Sequence, residues 1–315
     1  MFVLTVYIAN VVFFFLFLIL VDSPKKIKSI LFICCLATTA YSLFALNSGK
    51  IVQDRLSSGQ MFDPNDLAFF IISFLPFNFL FMSSNEPLLK RVVAVLNCLT
   101  SLMVILMTGS RGGFVALGVA VFFLLFRKTK TIPRTYKVLF LVLLVGGIFA
   151  KINVIDFSRY ATILEPTQDY NMTAESGRKE IWKKGLKLML THPLTGVGVG
   201  CFAQALGEER KKEGLLQRWQ TAHNSWVLIG TETGIIGFVL FGLLNFSAFR
   251  TFINVSRRAG SEKLMRIGEM AVIGFIGHFT SAMFISQAYS IYWTFYIALS
   301  AVLYKLGLEK IKEDH

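Results

Sequence analysis

Long apolar runs alternate with short polar connections along almost the whole chain. The runs lie near residues 1–21, 29–46, 67–82, 92–108, 109–126, 137–150, 225–249, 268–286 and 289–306. Each is close to the roughly 17–25 residues that a helix needs to cross a bilayer. The pattern therefore predicts an all-α, polytopic membrane protein of about nine transmembrane helices. It divides into an N-terminal group of membrane helices (1–150), one large loop (151–222) and a C-terminal group (223–315).

Composition agrees with that pattern. Of 315 residues, 54% are hydrophobic and only 16% charged, with a mean hydropathy of +0.60. The net charge of +13 does not call for nucleic acid. In a membrane protein it is first expected as Lys and Arg in cytoplasmic loops, with any remainder meeting anionic lipid or substrate phosphate. The connections "DSPKKIK", "SSNEPLLKR", "RKTKTIPRTYK" and "RTFINVSRRAGSEKLMR" fall on one side, together with the tail "KLGLEKIKEDH". That side is expected in the cytoplasm. The other side then carries residues 47–66, "TGSRGG", the large loop 151–222 and a tight turn near Gln287. Residue 1 also falls outside, and the first run lacks a signal-peptide cleavage site. Cys34, Cys35 and Cys98 lie in apolar runs and Cys201 stands alone, so no disulfide is expected.

Within the large loop, "SGRKEIWKKGLKLMLTHP" reads as an amphipathic helix, with Ser176 placed to cap it and Pro193 to stop it. Ile181, Trp182, Gly185, Leu186 and Met189 form the expected apolar stripe, and Lys179, Lys183, Lys184 and Lys187 take most of the other face. Such a helix suits the outer membrane surface. The following "LTGVGVG" supplies turns before the chain returns to the bilayer at His223.

Three outward-facing features are candidates for chemistry. Arg111 opens a span and is flanked by Gly112 and Gly113. Glycines admit a ligand to the backbone N–H groups of a helix start, and a guanidinium there suits phosphate. The plain alternative is an interfacial arginine reaching for lipid headgroups. Arg178 sits in the first turn of the amphipathic helix, where its charge adds to the helix dipole instead of opposing it; a solvated basic face is its alternative. His223 follows a polar loop and opens a helix, where water and substrate both reach it. Histidine titrates near neutrality and takes a proton from a hydroxyl. Asn224 beside it would cap the helix or orient the imidazole. Glu232 is either a buried partner or the mark of the true start of the span, with 223–233 a surface helix; the boundary-like "TETG" favours the second. His192 is expected at a helix end, and His278, inside an apolar run, in an interhelical hydrogen bond. No GxxxxGK[ST], HExxH or CxxC pair is present, and no external Asp-x-Asp cluster, so no metal or cofactor is expected. Two cations suit a diphosphate at the membrane surface and one base suits activation of a hydroxyl.

The segments "FDPNDLA" (62–68), "TGSRGGFVAL" (108–117), "SGRKEIWKKGLKLMLTHPLTGVGVGCF" (176–202) and "AHNSWVLIGTETGIIGF" (222–238) together resemble the O-antigen ligase and polymerase superfamily of bacterial envelope polysaccharide enzymes. The resemblance implies a GT-C-like helical fold in the bacterial inner or plasma membrane, with the site on the extracytoplasmic face. It implies metal-independent, inverting transfer from an undecaprenyl-diphosphate-linked glycan to a glycan or lipid-glycan acceptor, building lipopolysaccharide O-antigen, capsule or a similar polymer. By that similarity Arg111 and Arg178 would bind the diphosphate, His223 would activate or position the acceptor hydroxyl, and Asn224, Gly112 and Gly113 would support them. The superfamily resembles about twelve spans with both ends cytoplasmic, which leads us to expect that upstream helices are missing here. A transporter for the same lipid-linked glycan is the rival from another class. It would place its polar groups near the midplane, often in repeated halves. A non-catalytic assembly partner is the third reading.

Overall fold

The structure, a computed structural model, describes residues 2–52, 55–57, 63–127, 133–150 and 176–309 and the single positions Thr129, Tyr160, Ile163 and Ala174. Most of residues 151–175 thus lies outside the described residues. The described part is mostly helical, and each of the expected apolar runs coincides with a helix. Helices α1 (Phe2–Leu20), α2 (Pro24–Ser48), α3 (Pro64–Phe74), α4 (Leu88–Met107), α5 (Arg111–Phe126) and α6 (Arg134–Ala150) precede the large loop. The loop contributes α7 (Arg178–Thr191) and α8 (Phe202–Lys212). Helices α9 (Ser225–Arg258), α10 (Glu262–Ala282) and α11 (Ile291–Tyr304) follow, with a π turn over Lys305–Glu309. By length and composition, α2, α4 and α9 are apolar enough to cross a membrane, and shorter apolar helices cover Leu4–Leu20, Pro64–Leu80, Arg111–Phe126 and Ile291–Gly307.

Local chemistry sets several boundaries. Ser23 caps α2 with Pro24 in its first turn, and Asp63 caps α3 with Pro64 likewise; proline fits there because its missing N–H has no partner to lose. Pro76 has the opposite effect. It cannot continue α3, and Leu75–Leu80 tightens into a 3-10 segment.

Helix α10 lies at the centre, packed by α9, α5, α3 and the 3-10 segment. His278 on α10 is fully buried and meets Ser73 Oγ at 2.9 Å, while Tyr296 of α11 donates to Ser73 O at 2.5 Å. Asn97 of α4 donates to Cys35 O and Thr38 Oγ1 of α2 and to Asn78 Oδ1 of the 3-10 segment. Buried polar pairs like these fix helix register where apolar packing alone discriminates little.

The two ends of the bundle differ. At one end gather the starts of α3, α5 and α9 and the turn 283–290. At the other, Lys28 pairs with Glu86, Arg127 donates to Ser256 Oγ at 2.8 Å, and Lys28, Glu86, Glu262, Lys263 and Arg266 line one cleft.

The amphipathic helix, α7, differs from expectation in three ways. Its N-cap is Gly177, without a side-chain bond, and Ser176 Oγ instead accepts from Arg218. Its buried face is Ile181, Lys184, Gly185 and Leu188, whereas Leu186 is exposed. The phase turns because Lys184 is neutralised by Glu213, so a lysine occupies a packed position. That face also packs against α9, where Thr231 donates to Gly185 O at 2.9 Å. Two elements had no expectation in the sequence: α8, and a hairpin of β1 (Lys50–Val52) and β2 (Arg55–Ser57), antiparallel with Lys50 opposite Ser57.

Candidate functional site

His223 stands at the junction of the external segment and α9. Its backbone is left-handed (φ 48°), an uncommon state for a non-glycine residue. Its N–H donates to Ser286 Oγ at 2.7 Å. Asn224 is the N-cap of α9, its Oδ1 accepting from Trp226 N and Val227 N at 2.9 and 3.1 Å. Ser225 Oγ donates to Ile285 O and accepts from Gln287 N. These bonds fasten the helix start to the turn 283–290 and leave the imidazole half-buried, with Thr221 Oγ1 at 3.4 Å from Nε2.

The same turn reaches α3 and α5. Gln287 Nε2 donates to Asp66 Oδ1 at 2.7 Å. A Cβ on Gly112 would come within 2.4 Å of Phe284, and one on Gly113 within 2.7 Å of Ala68. Both glycines therefore let α5 start against its neighbours, and the Gly113 N–H is taken by the cap residue Ser110. Arg55 of the hairpin donates to Thr108 O and Asn65 Oδ1, and Ser110 Oγ donates to the same Asn65 oxygen. Arg111, the first residue of α5 and half-buried, is thereby fixed at the end of the bundle that carries His223. The link between them runs through Gly112, Phe284 and Ser286.

Arg178 arrives from the large loop, at the start of α7. Trp182 Nε1 donates to Ala222 O at 2.9 Å, and Gln220 Nε2 to Ser176 O at 3.2 Å, so the start of α7 lies beside the residues just before His223. Electrostatics give the same neighbourhood. Burial holds the His223 pKa below the ordinary histidine value; the Arg178 charge lowers it further, and Asp63 pulls the other way. His223, Arg178 and the start of α3 therefore share one space. An imidazole kept neutral beside a cation is in the form that accepts a proton.

Glu232 is 2% exposed, accepting from Phe202 N at 3.0 Å and from Tyr289 OH at 2.7 Å. Two residues on, α9 breaks at Gly234 (φ 71°). Pro193 and the turns of "LTGVGVG" take up the groups exposed by the break: Val197 N donates to Thr231 O, Gly198 N to Glu232 O, and Ile235 N to Pro193 O. Glu232 is thus a buried partner at a helix break. Beside Tyr289 lies an apolar cavity of about 420 Å³ lined by Tyr7, Asn10, Phe14, Phe241 and Trp293. Among the described residues no three His, Cys, Asp or Glu side chains gather as a metal site requires.

Arg55 and Ser286 escaped sequence reasoning, and Asp66 and Gln287 enter it only as part of a resembling segment and as the place of a turn, with no role. Each is a common polar residue with a partner more than fifty positions away along the chain, and no local spacing distinguishes it.

No curated protein matches the chain. Residues 96–242, from within α4 to the second part of α9, match the family model described as O-antigen ligase. That match covers a little under half of the chain and supports its resemblance to the O-antigen ligase and polymerase superfamily.

Proposed function

We propose that this integral membrane protein transfers a glycan from a polyprenyl-diphosphate donor to a sugar hydroxyl on the extracytoplasmic face, during assembly of an envelope polysaccharide. The observation that carries the reading is the half-buried His223 at the start of α9, with the start of α7 and its Arg178 tied to the residues just before it, within a segment matching the O-antigen ligase family. In the proposed reaction His223 takes the proton of the acceptor hydroxyl as its oxygen attacks the anomeric carbon. The anomeric C–O bond to phosphate breaks on the opposite face, inverting the centre. The undecaprenyl diphosphate leaves with the electron pair, and Arg111 and Arg178 hold its growing charge in place of a metal. The apolar cavity beside Tyr289 suits part of the prenyl chain. The chemistry is the same for a ligase, whose acceptor is a finished glycan, and a polymerase, whose acceptor is another lipid-linked repeat.

The test is donor binding measured beside product formation, with lipid-linked glycan and purified protein. Arg111→Ala and Arg178→Ala should each weaken donor binding and lower the rate by about 10²-fold, with Lys restoring only part. His223→Ala should bind donor normally and lose roughly 10²- to 10⁴-fold in transfer. Lys183→Ala, on the exposed face of α7, should match the unmodified protein. Excess chelator should leave the rate unchanged. Normal product from all three site variants would sink the mechanism; loss with chelator and rescue by magnesium would give the arginines' role to a metal. Movement of lipid-linked glycan without any product would favour a transporter.

A further inference from the structure

Of the four tryptophans, Trp182, Trp226 and Trp293 are engaged in hydrogen bonds or ring clusters. Trp219 is 73% exposed. The other exposed aromatic side chains among the described residues lie on the apolar helices of the bundle. Trp219 lies instead on an irregular strap outside those helices, residues 215–221, with Leu216, Gln217, Arg218 and Thr221 exposed around it.

The ring is held in place. Its Cδ1 and Nε1 lie only 2.5 and 2.8 Å from where a Cβ on Gly207 would be, so the pyrrole side rests on the backbone of α8 and the rest faces solvent. The strap is tied on both sides of the ring. Leu215 N donates to Arg210 O, the buried Arg210 donates to Leu216 O at 2.9 Å, Arg218 donates to Ser176 Oγ at 2.8 Å and Gln220 to Ser176 O. Ser176 stands two residues before Arg178, and His223 follows the strap by two residues. Four residues of extended chain span at most about 14 Å, so the ring is within a short oligosaccharide's reach of the imidazole.

We propose that Trp219 is a stacking platform for a pyranose ring of the glycan, next to the sugar that reacts at His223; the proposal rests on the transferase reading above. An indole face carries negative quadrupole density that complements the polarised C–H groups on the apolar face of a pyranose. The hydroxyls at the sugar's rim meet the polar groups of Gln217, Arg218 and Thr221. Fixing the ring in advance lowers the ordering cost of binding a flexible chain.

Two measurements test it. The first follows acrylamide quenching of Trp219, taken as the difference between the unmodified protein and Trp219→Phe. The probe is the oligosaccharide released from lipid-linked glycan that accumulates in cells lacking this chain. Quenching should fall at least about twofold as oligosaccharide is added, on the scale of an aromatic face becoming covered. The second is kinetics of Trp219→Ala, Trp219→Leu and Trp219→Phe. The Ala and Leu variants should raise KM for one glycan substrate roughly three- to tenfold with little change in kcat, and Phe should restore it. Whether the acceptor or the donor KM moves identifies which glycan lies on the ring. Unchanged quenching with a normal Trp219→Leu overturns the platform and leaves the transferase reading standing. Protection without any product does the reverse. Quenching of Trp219 by brominated phosphatidylcholine, with acrylamide excluded, would put the ring and Leu216 in lipid and overturn the proposal.

Discussion

His223 carries two physical peculiarities that make separate demands. Its pKa is held below the ordinary value of about 6.5, by burial first and then by Arg178, with Asp63 opposing. The neutral base therefore persists at neutral pH, and transfer should fall only on the acid side as the ring protonates. Removing the cation with Arg178→Gln should move that acid limb to higher pH, alongside the loss of rate. Removing the anion with Asp63→Asn should move it lower; asparagine still caps α3, so the fold is spared. A pH–rate profile for the two variants checks this, and limbs that fail to move apart would separate His223 from the titrating group. The left-handed backbone makes the second demand. Alanine at φ 48° keeps the strain and glycine relieves it, so His223→Gly should be more stable than His223→Ala by about 1 kcal/mol, measured by thermal unfolding in detergent. Neither retains a base.

At the scale of elements, the break in α9 joins the external segment to the bundle. Gly234 has no room for a side chain: a Cβ would lie 2.5 Å from Pro193 O, and its φ is 71°. Gly234→Ala should loosen α7 and α8 from α9 by upwards of about 1 kcal/mol, read as faster hydrogen exchange in 178–212 with the core helices unchanged. Glu232→Ala leaves Phe202 N and Tyr289 OH without their acceptor and should do the same, while Glu232→Gln, which keeps one acceptor oxygen, should cost less. Equal exchange in all three variants would show that the segment is held elsewhere. These elements also show what the sequence made legible. Apolar runs placed the bundle helices because crossing a bilayer demands a length that composition reveals. The order of Arg111, Arg178 and His223 was readable because helix starts have local signals. The phase of α7 was not, because Lys184 packs only once Glu213, in the next helix, neutralises it. Ser176 looked like a cap by spacing, yet its oxygen is taken by Arg218 from 42 residues away. Glu232 resembled a boundary residue and is a buried acceptor at a break, and both descriptions fit once Gly234 is seen to part the helix. Ser286, Gln287 and Asp66 act across the bundle, where period and spacing carry no information.

At the scale of the whole molecule, orientation decides whether the site meets its substrate. The end that holds His223, Arg178 and Arg111 is separated by the bundle from the end where Lys28 pairs with Glu86 and Arg127 bonds Ser256. The second end collects the short basic loops, and positive residues in short loops are retained in the cytoplasm. The His223 end should therefore lie outside, where a lipid-linked glycan is presented after translocation. Single cysteines in a background with the four native cysteines replaced test this. Cysteine at Lys90 or Glu262 should react with an impermeant maleimide only after permeabilisation. Cysteine at Lys183 or Leu216, both exposed on the external segment, should react in intact cells or spheroplasts. Reversed labelling would put all the site arginines and the histidine in the cytoplasm and remove the proposed transfer with them. Labelling of all four positions from one side would break the bundle reading itself, because Lys90 and the segment that carries Lys183 lie at opposite ends of the bundle.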